Sequence, residues 1–174
     1  MRTIFVLDEK NYTDDMPCEE RHVVRALIER DGKLAMQKSA AGIYKIPGGT
    51  MDPEEDRADA LSREVLEETG LVIVRSTITE IGATVEKRRD LFDPGKIFLR
   101  LTYFYSCRVT GEQFPLHLTD SERDLGFTAV WADPLDAIAA NEKADVDRHC
   151  YERDTRFLEW YVRNREPVAM QGSI

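Results

Sequence analysis

Apolar and polar positions alternate with several different periods along the chain, and each change of period marks an element. RTIFVLD near the start reads as a strand. Residues 8–21 are polar and contain Pro17, which predicts a loop. HVVRALIER reads as a strand, and Asp31-Gly32 signals a hairpin before the strand-like KLAMQKS. Pro47-Gly48-Gly49 breaks the pattern and opens a loop. Residues 55–69 switch to helical spacing, with Ala58, Leu61 and Val65 on one face and Gly70 at the C-terminal stop. LVIVRSTITEIGATVE and KIFLRLTYFYSCRV return to strand character. ADPLDAIAAN predicts a short helix from about Pro134, and the stretch from about Val146 to Arg165 predicts a final amphipathic helix carrying Phe157, Trp160 and Tyr161. Strands interrupted by one helix and closed by another place the chain in the α/β class, with a mixed sheet between helices.

Composition narrows the class. At 174 residues, 42% hydrophobic and 33% charged, the chain has the size and make-up of one globular domain. Its net charge of −9 argues against an extended nucleic-acid interface but not against a small phosphate ligand, because a bound cation reverses the local field. No apolar run approaches the roughly 20 residues of a membrane span, and the N-terminus turns acidic too soon for a targeting segment. Cys18, Cys107 and Cys150 are odd in number and widely spaced, so the expectation is a reducing cytoplasm without disulfides. No cysteine or histidine pair has zinc-ligand spacing, since His149 and Cys150 are adjacent and face different ways on a helix.

The densest pattern begins at Gly49. Glu55 follows after five residues, then Arg63-Glu64-Val65 after seven, Glu67-Glu68 after one, and Gly70-Leu71 after one. This resembles the Nudix box, G-x5-E-x7-R-E-U-x-E-E-x-G-U with U aliphatic, at every specified position. With the flanking hairpin and the later Val130-Trp131 strand, the resemblance covers roughly residues 20–142. It implies a Nudix α/β/α sandwich as one domain over residues 1–174, with the last helix at about 146–165. Helical geometry gives a compatible reading. Glu64, Glu67 and Glu68 fall within about one 100° sector, mostly displaced from the apolar stripe. A solvated acidic face accounts for Glu54, Asp56 and Asp59. It accounts poorly for like charges at i,i+3 and i,i+4, which destabilise a helix. Clustered hard oxygen ligands suit Mg²⁺ or Mn²⁺.

The resemblance also implies roles. The Gly48 carbonyl joins Glu64, Glu67 and Glu68 as a metal ligand, and Arg63 braces the acidic loop through Glu55 or Glu67. Glu55 orients the ligands or reaches the metal through water. The base for the attacking water lies either on the box helix, as Glu64, or on a later loop, where SERDLGF offers Glu122 beside Asp120. Lys87-Arg88-Arg89 follows a strand and is a candidate for phosphate or ribose, against a solvated triplet. Tyr44, Phe127 and Trp131 are read as core aromatics rather than base-stacking partners.

The reaction implied is water attack on phosphorus in a nucleoside diphosphate linked to another group. A small nucleotide-like diphosphate is the expected partner, and the N-terminal strand is available for pairing across a homodimer. Two rivals are weighed. A non-catalytic nucleotide-sensing domain of the same family would lose box glutamates, and none is lost. An isopentenyl diphosphate isomerase uses a cysteine and a glutamate, and no cysteine lies near the box. The proline that ADP-ribose hydrolases carry about fifteen residues past the box is absent, with Val85 there and Pro94 next. The extra motif of coenzyme A hydrolases before the box is absent too.

Overall fold

A computed structural model describes residues 1–165. A four-stranded mixed sheet in the order β1-β7-β8-β2 is built from β1 (Thr3–Asp8), β2 (Cys18–Leu27), β7 (Thr79–Arg89) and β8 (Ile97–Ser106). β1 runs parallel to β7, β7 antiparallel to β8, and β8 parallel to β2. A smaller antiparallel sheet joins β10 (Thr128–Ala132), β4 (Lys33–Lys38) and β3 (Glu29–Arg30), with β5 (Tyr44–Lys45) beside β4. β6 (Leu71–Ile73) and β9 (Val109–Gln113) form a separate pair.

Among the described residues four α-helices complete the layers: α1 (Arg57–Thr69), α2 (Asp120–Asp124), α3 (Pro134–Glu142) and α4 (Glu152–Asn164). Alternation along β2 sends Val24 and Ala26 into the cluster under α1, with Leu61, Val65, Tyr103 and Tyr105. Leu27 and Phe104 point the other way, into a cluster with Phe157 and Leu158 of α4. The sheets therefore lie between α1 on one side and α3 and α4 on the other. No helix among the described residues is long and apolar enough to cross a membrane.

Several boundaries differ from the sequence reading. The expected loop over 8–21 yields to strand at Cys18, because β8 supplies backbone partners from Ile97 onward to side chains that stay exposed. Lys87-Arg88-Arg89 lies inside β7 rather than after it, and Arg88 is buried against Glu86 at 3.2 Å. SERDLGF is not wholly loop: Thr119 caps α2, with Glu122 returning the bond to the Thr119 N–H. α1 starts at Arg57 because Asp56 caps the Ala58 N–H, and Ala60, not Ala58, completes its buried stripe. The last helix begins at Glu152, preceded by a 3₁₀ turn over Arg148–Cys150. β1 pairs with β7 within the chain and ends its sheet, so its outer edge remains available.

Candidate active site

The turn at Pro47-Gly48-Gly49 is held against β2 by backbone bonds from Val24 N–H to Gly49 O (3.0 Å) and Ala26 N–H to Pro47 O (2.8 Å). Gly48 has φ +133°, and a Cβ there would run into the Val24 carbonyl. A Cβ at Gly49 would strike the Glu64 carboxylate, so that carboxylate stands directly against the turn. From the same helix Glu68 reaches the turn, accepting the Gly48 N–H at 2.6 Å while only 5% exposed. Burial pushes its carboxyl up to about 8, against the pull of Arg25 and the Gly48 N–H. Burial also raises the Glu64 carboxyl, with Arg63 opposing.

Arg63 sits at the centre of the box. Its guanidinium donates to Glu55 at 2.9 and 2.8 Å, to Glu64 at 2.8 Å and to Glu67 at 3.4 Å. Hydrogen bonding to Arg63 holds the Glu55 carboxyl below its ordinary range. Glu55 also accepts the Asp52 N–H at 3.0 Å, so it ties the loop to the helix. Glu67 lies at the solvent edge, its side chain 40% exposed. Among the described residues no three carboxylate, imidazole or thiol groups already form a metal cage. The donors that do meet at the turn are all oxygen: Glu64, Glu68 and the Gly48 carbonyl, which accepts from Arg25. This donor set fits a hard divalent cation, with Glu67 one turn from Glu64 and able to join.

Glu122 is engaged in its own cap, bonding Thr119 N–H and Oγ at 2.8 Å each. The segment just before α2 is tied to the box helix, the His117 N–H donating to Glu67 O at 2.8 Å. Of the aromatics, Phe127 is buried, and Trp131 packs on the α1 cluster beneath the Arg30 guanidinium.

Sequence reasoning missed the cleft behind the turn. Arg25 projects from β2 to the α4 side and donates to Ile46 O at 2.7 Å and to Gly48 O. Around it stand Lys45, Arg100, Arg153 and Asp154, lining a cleft of ≈ 90 Å³. A pocket of ≈ 320 Å³ shares His149 and Arg153 with it. Burial lowers the Arg25 and Lys45 cations, and takes Arg100 down to about 10. Asp154 is held ionised against the cost of burial by Arg153 and Arg25. Arg25 Nε, Arg153 Nη1 and Asp154 Oδ2 are buried without a hydrogen-bond partner. Buried polar groups left open in this way call for a ligand or water. The available signal was Arg25 itself, a cation inside the apolar run VVRALI.

An α/β/α sandwich with two glutamates of one helix set against a glycine turn defines a class of fold and site. The chain belongs to the Nudix family: the NUDIX domain model matches residues 20–154. Over 70 residues it is 37% identical to a CTP pyrophosphohydrolase of Escherichia coli (strain K12), a match taking in 37% of this chain and 50% of that one. The chain thus spans about half the length of that curated relative. The fold is similar to a NUDIX hydrolase from Nitrosomonas europaea, with TM-score 0.59, 22% identity, and 90% of this chain and 98% of that one covered. It is also similar to the E. coli ORF135 protein in solution, with TM-score 0.53, 22% identity, and 94% and 100% covered. These two likenesses establish the Nudix sandwich as the fold.

Proposed function

We propose that this chain is a metal-dependent pyrophosphohydrolase that cleaves a phosphoanhydride bond in a nucleoside diphosphate linked to another group, by water attack on phosphorus. The observation that carries this reading is the pair of carboxylates, Glu64 and Glu68, pressed against the Gly48-Gly49 turn. Glu64, Glu67, Glu68 and the Gly48 carbonyl would hold Mg²⁺ or Mn²⁺, with Glu55 fixing the set through Arg63. When bound, the cation neutralises charge on the phosphate oxygens. The chain's own groups do the rest. Arg63 keeps the loop and helix in register. Arg25, Lys45, Arg100 and Arg153 offer donors, and Asp154 an acceptor, to the polar head of the substrate. The similarity to a CTP pyrophosphohydrolase makes a nucleoside triphosphate the first substrate to try. All three cysteines are free, in keeping with a cytoplasmic place of action.

The proposal is tested with CTP and a panel of nucleotides and nucleotide sugars, with products identified. EDTA is expected to abolish turnover, and Mg²⁺ or Mn²⁺ to restore it. Undiminished turnover by metal-free protein would overturn the metal assignment, while nucleotide binding without hydrolysis in Mg²⁺ would mark a sensing domain.

Glu122 is proposed as the base on the later segment, alongside Glu64. Glu122→Gln retains a group able to close the cap on Thr119. It is expected to lower kcat tenfold or more, the low side of a general base's usual contribution of about 10²–10⁴, and to leave KM within a few-fold. Steady-state kinetics decide it: a smaller loss in kcat leaves Glu122 with its capping role alone.

A further inference from the structure

We propose that the chain carries a second small-molecule site, away from the box turn, that binds a nucleotide through both its phosphates and its base. A groove of ≈ 640 Å³ lies between the last turns of α4 and the far end of the main sheet. Three arginines line it: Arg2 before β1, Arg108 after β8, and Arg165 at the end of α4. Among the described residues none of the three makes an ion pair. That is unusual in a chain of net charge −9, where carboxylates outnumber cations. Among the described residues the one carboxylate that lines the groove, Glu29, accepts the Tyr161 hydroxyl at 2.6 Å. Three cations against one committed anion leave a positive basin suited to phosphate.

The floor supplies the other half of the recognition. Trp160 and Tyr161 are half-buried and border the groove. The Arg2 guanidinium stands 5.3 Å from the Trp160 ring centroid, and that of Arg165 5.9 Å from the Tyr161 ring. These guanidinium groups now cover the ring faces, so an entering base would take a face from its arginine and the released cation would turn to the phosphates, a combination tolerant of base identity. A bare inorganic anion would use only the arginines. The groove is separate from the polar cleft behind the turn. That cleft lies under the first turn of α4, at Arg153 and Asp154. Tyr161 is seven residues further along the helix than Asp154, or about 10 Å at 1.5 Å per residue. Phe157, buried between them on Phe104, closes the passage from one to the other.

The chain has two tryptophans, so Trp131→Phe leaves Trp160 as the sole indole reporter. This protein is titrated with ADP in EDTA, and separately with adenosine and with inorganic phosphate, following tryptophan emission. ADP is expected to change the emission saturably. Arg2→Ala with Arg108→Ala should weaken that response at least tenfold, and the milder Arg108→Gln should weaken it in part. Circular dichroism confirms that each variant is folded. No emission change at millimolar ADP overturns the proposal. So does a response that survives both arginine variants, which would locate ADP at the other end of α4. Equal affinity for phosphate and ADP overturns the nucleotide assignment.

Discussion

Glu64→Gln is expected to lower kcat by about 10²–10⁴-fold, the range of a lost general base, with loss of a metal ligand acting in the same direction. It is expected to leave the metal-free fold almost untouched. The two halves of this expectation have different sources. The catalytic half follows from placement: the Glu64 carboxylate abuts the Gly49 backbone, next to the Gly48 carbonyl and the carboxylate of Glu68. The stability half follows from its partners. The helix offers Glu64 no cation at i±3 or i±4, and the pattern alone suggests two unrelieved repulsions with Glu67 and Glu68. The structure corrects this, because Arg63 bends back to donate to Glu64 at 2.8 Å. Glutamine still accepts from Arg63 and sheds a carboxylate whose ionisation burial disfavours. Gain and loss should cancel to within about 1 kcal/mol. Thermal melts with and without Mg²⁺, beside a turnover assay, separate the terms. The ion should raise the wild-type Tm more than the variant's, because it binds the folded ligand set. Normal hydrolysis by the variant would remove Glu64 from the mechanism. A much lower metal-free Tm would make its pairing with Arg63 structural first.

The contrast between box and cleft shows what the sequence can display. The box is local: Asp56 caps α1, Gly70 ends it at φ +70°, and the glutamates between follow one helical ruler. Even there the ruler did not separate Glu68, which faces inward and is buried, from Glu67, which faces outward. One residue, about 100° of helix wheel, decides which carboxylate meets the turn, and the decision belongs to β2 and the 47–49 turn packed against it. The cleft is not local at all. Arg25, Lys45, Arg100 and Asp154 come from β2, β5, β8 and α4, and only tertiary packing brings them together. Two smaller features were readable and passed over. Thr119 and Glu122 have capping-box spacing. Glu86 and Arg88 are two apart, so a strand puts them on one face.

Phe157→Ala should show the opposite pattern to Glu64→Gln: a large loss of stability, with kcat of the folded variant nearly unchanged. Phe157 is fully buried, its ring 3.7 Å from that of Phe104 by centroid and nearly parallel to it, with Trp160 at 5.6 Å. Phe104 belongs to β8, so this stack joins α4 to the main sheet, beside Leu158 in the same cluster. Truncating a buried phenylalanine costs about 3–5 kcal/mol, and here the cavity would open between two elements that cannot easily close it. In a chain of this size that corresponds to a fall in Tm of about 6–20 °C. The functional consequence follows from what α4 carries. Arg153 and Asp154 lie one turn before Phe157, and their buried pair at 2.8 Å depends on the helix staying seated. Well below the variant's Tm, KM for the substrate should therefore rise while kcat, which the proposed reading assigns to the box turn on the edge of β2, changes little. Differential scanning calorimetry and kinetics at low temperature measure the two effects separately. A Tm within 2 °C of wild type would mean that α4 is held by something other than this stack. A fall in kcat with unchanged KM would place α4 in the chemical step rather than in substrate binding.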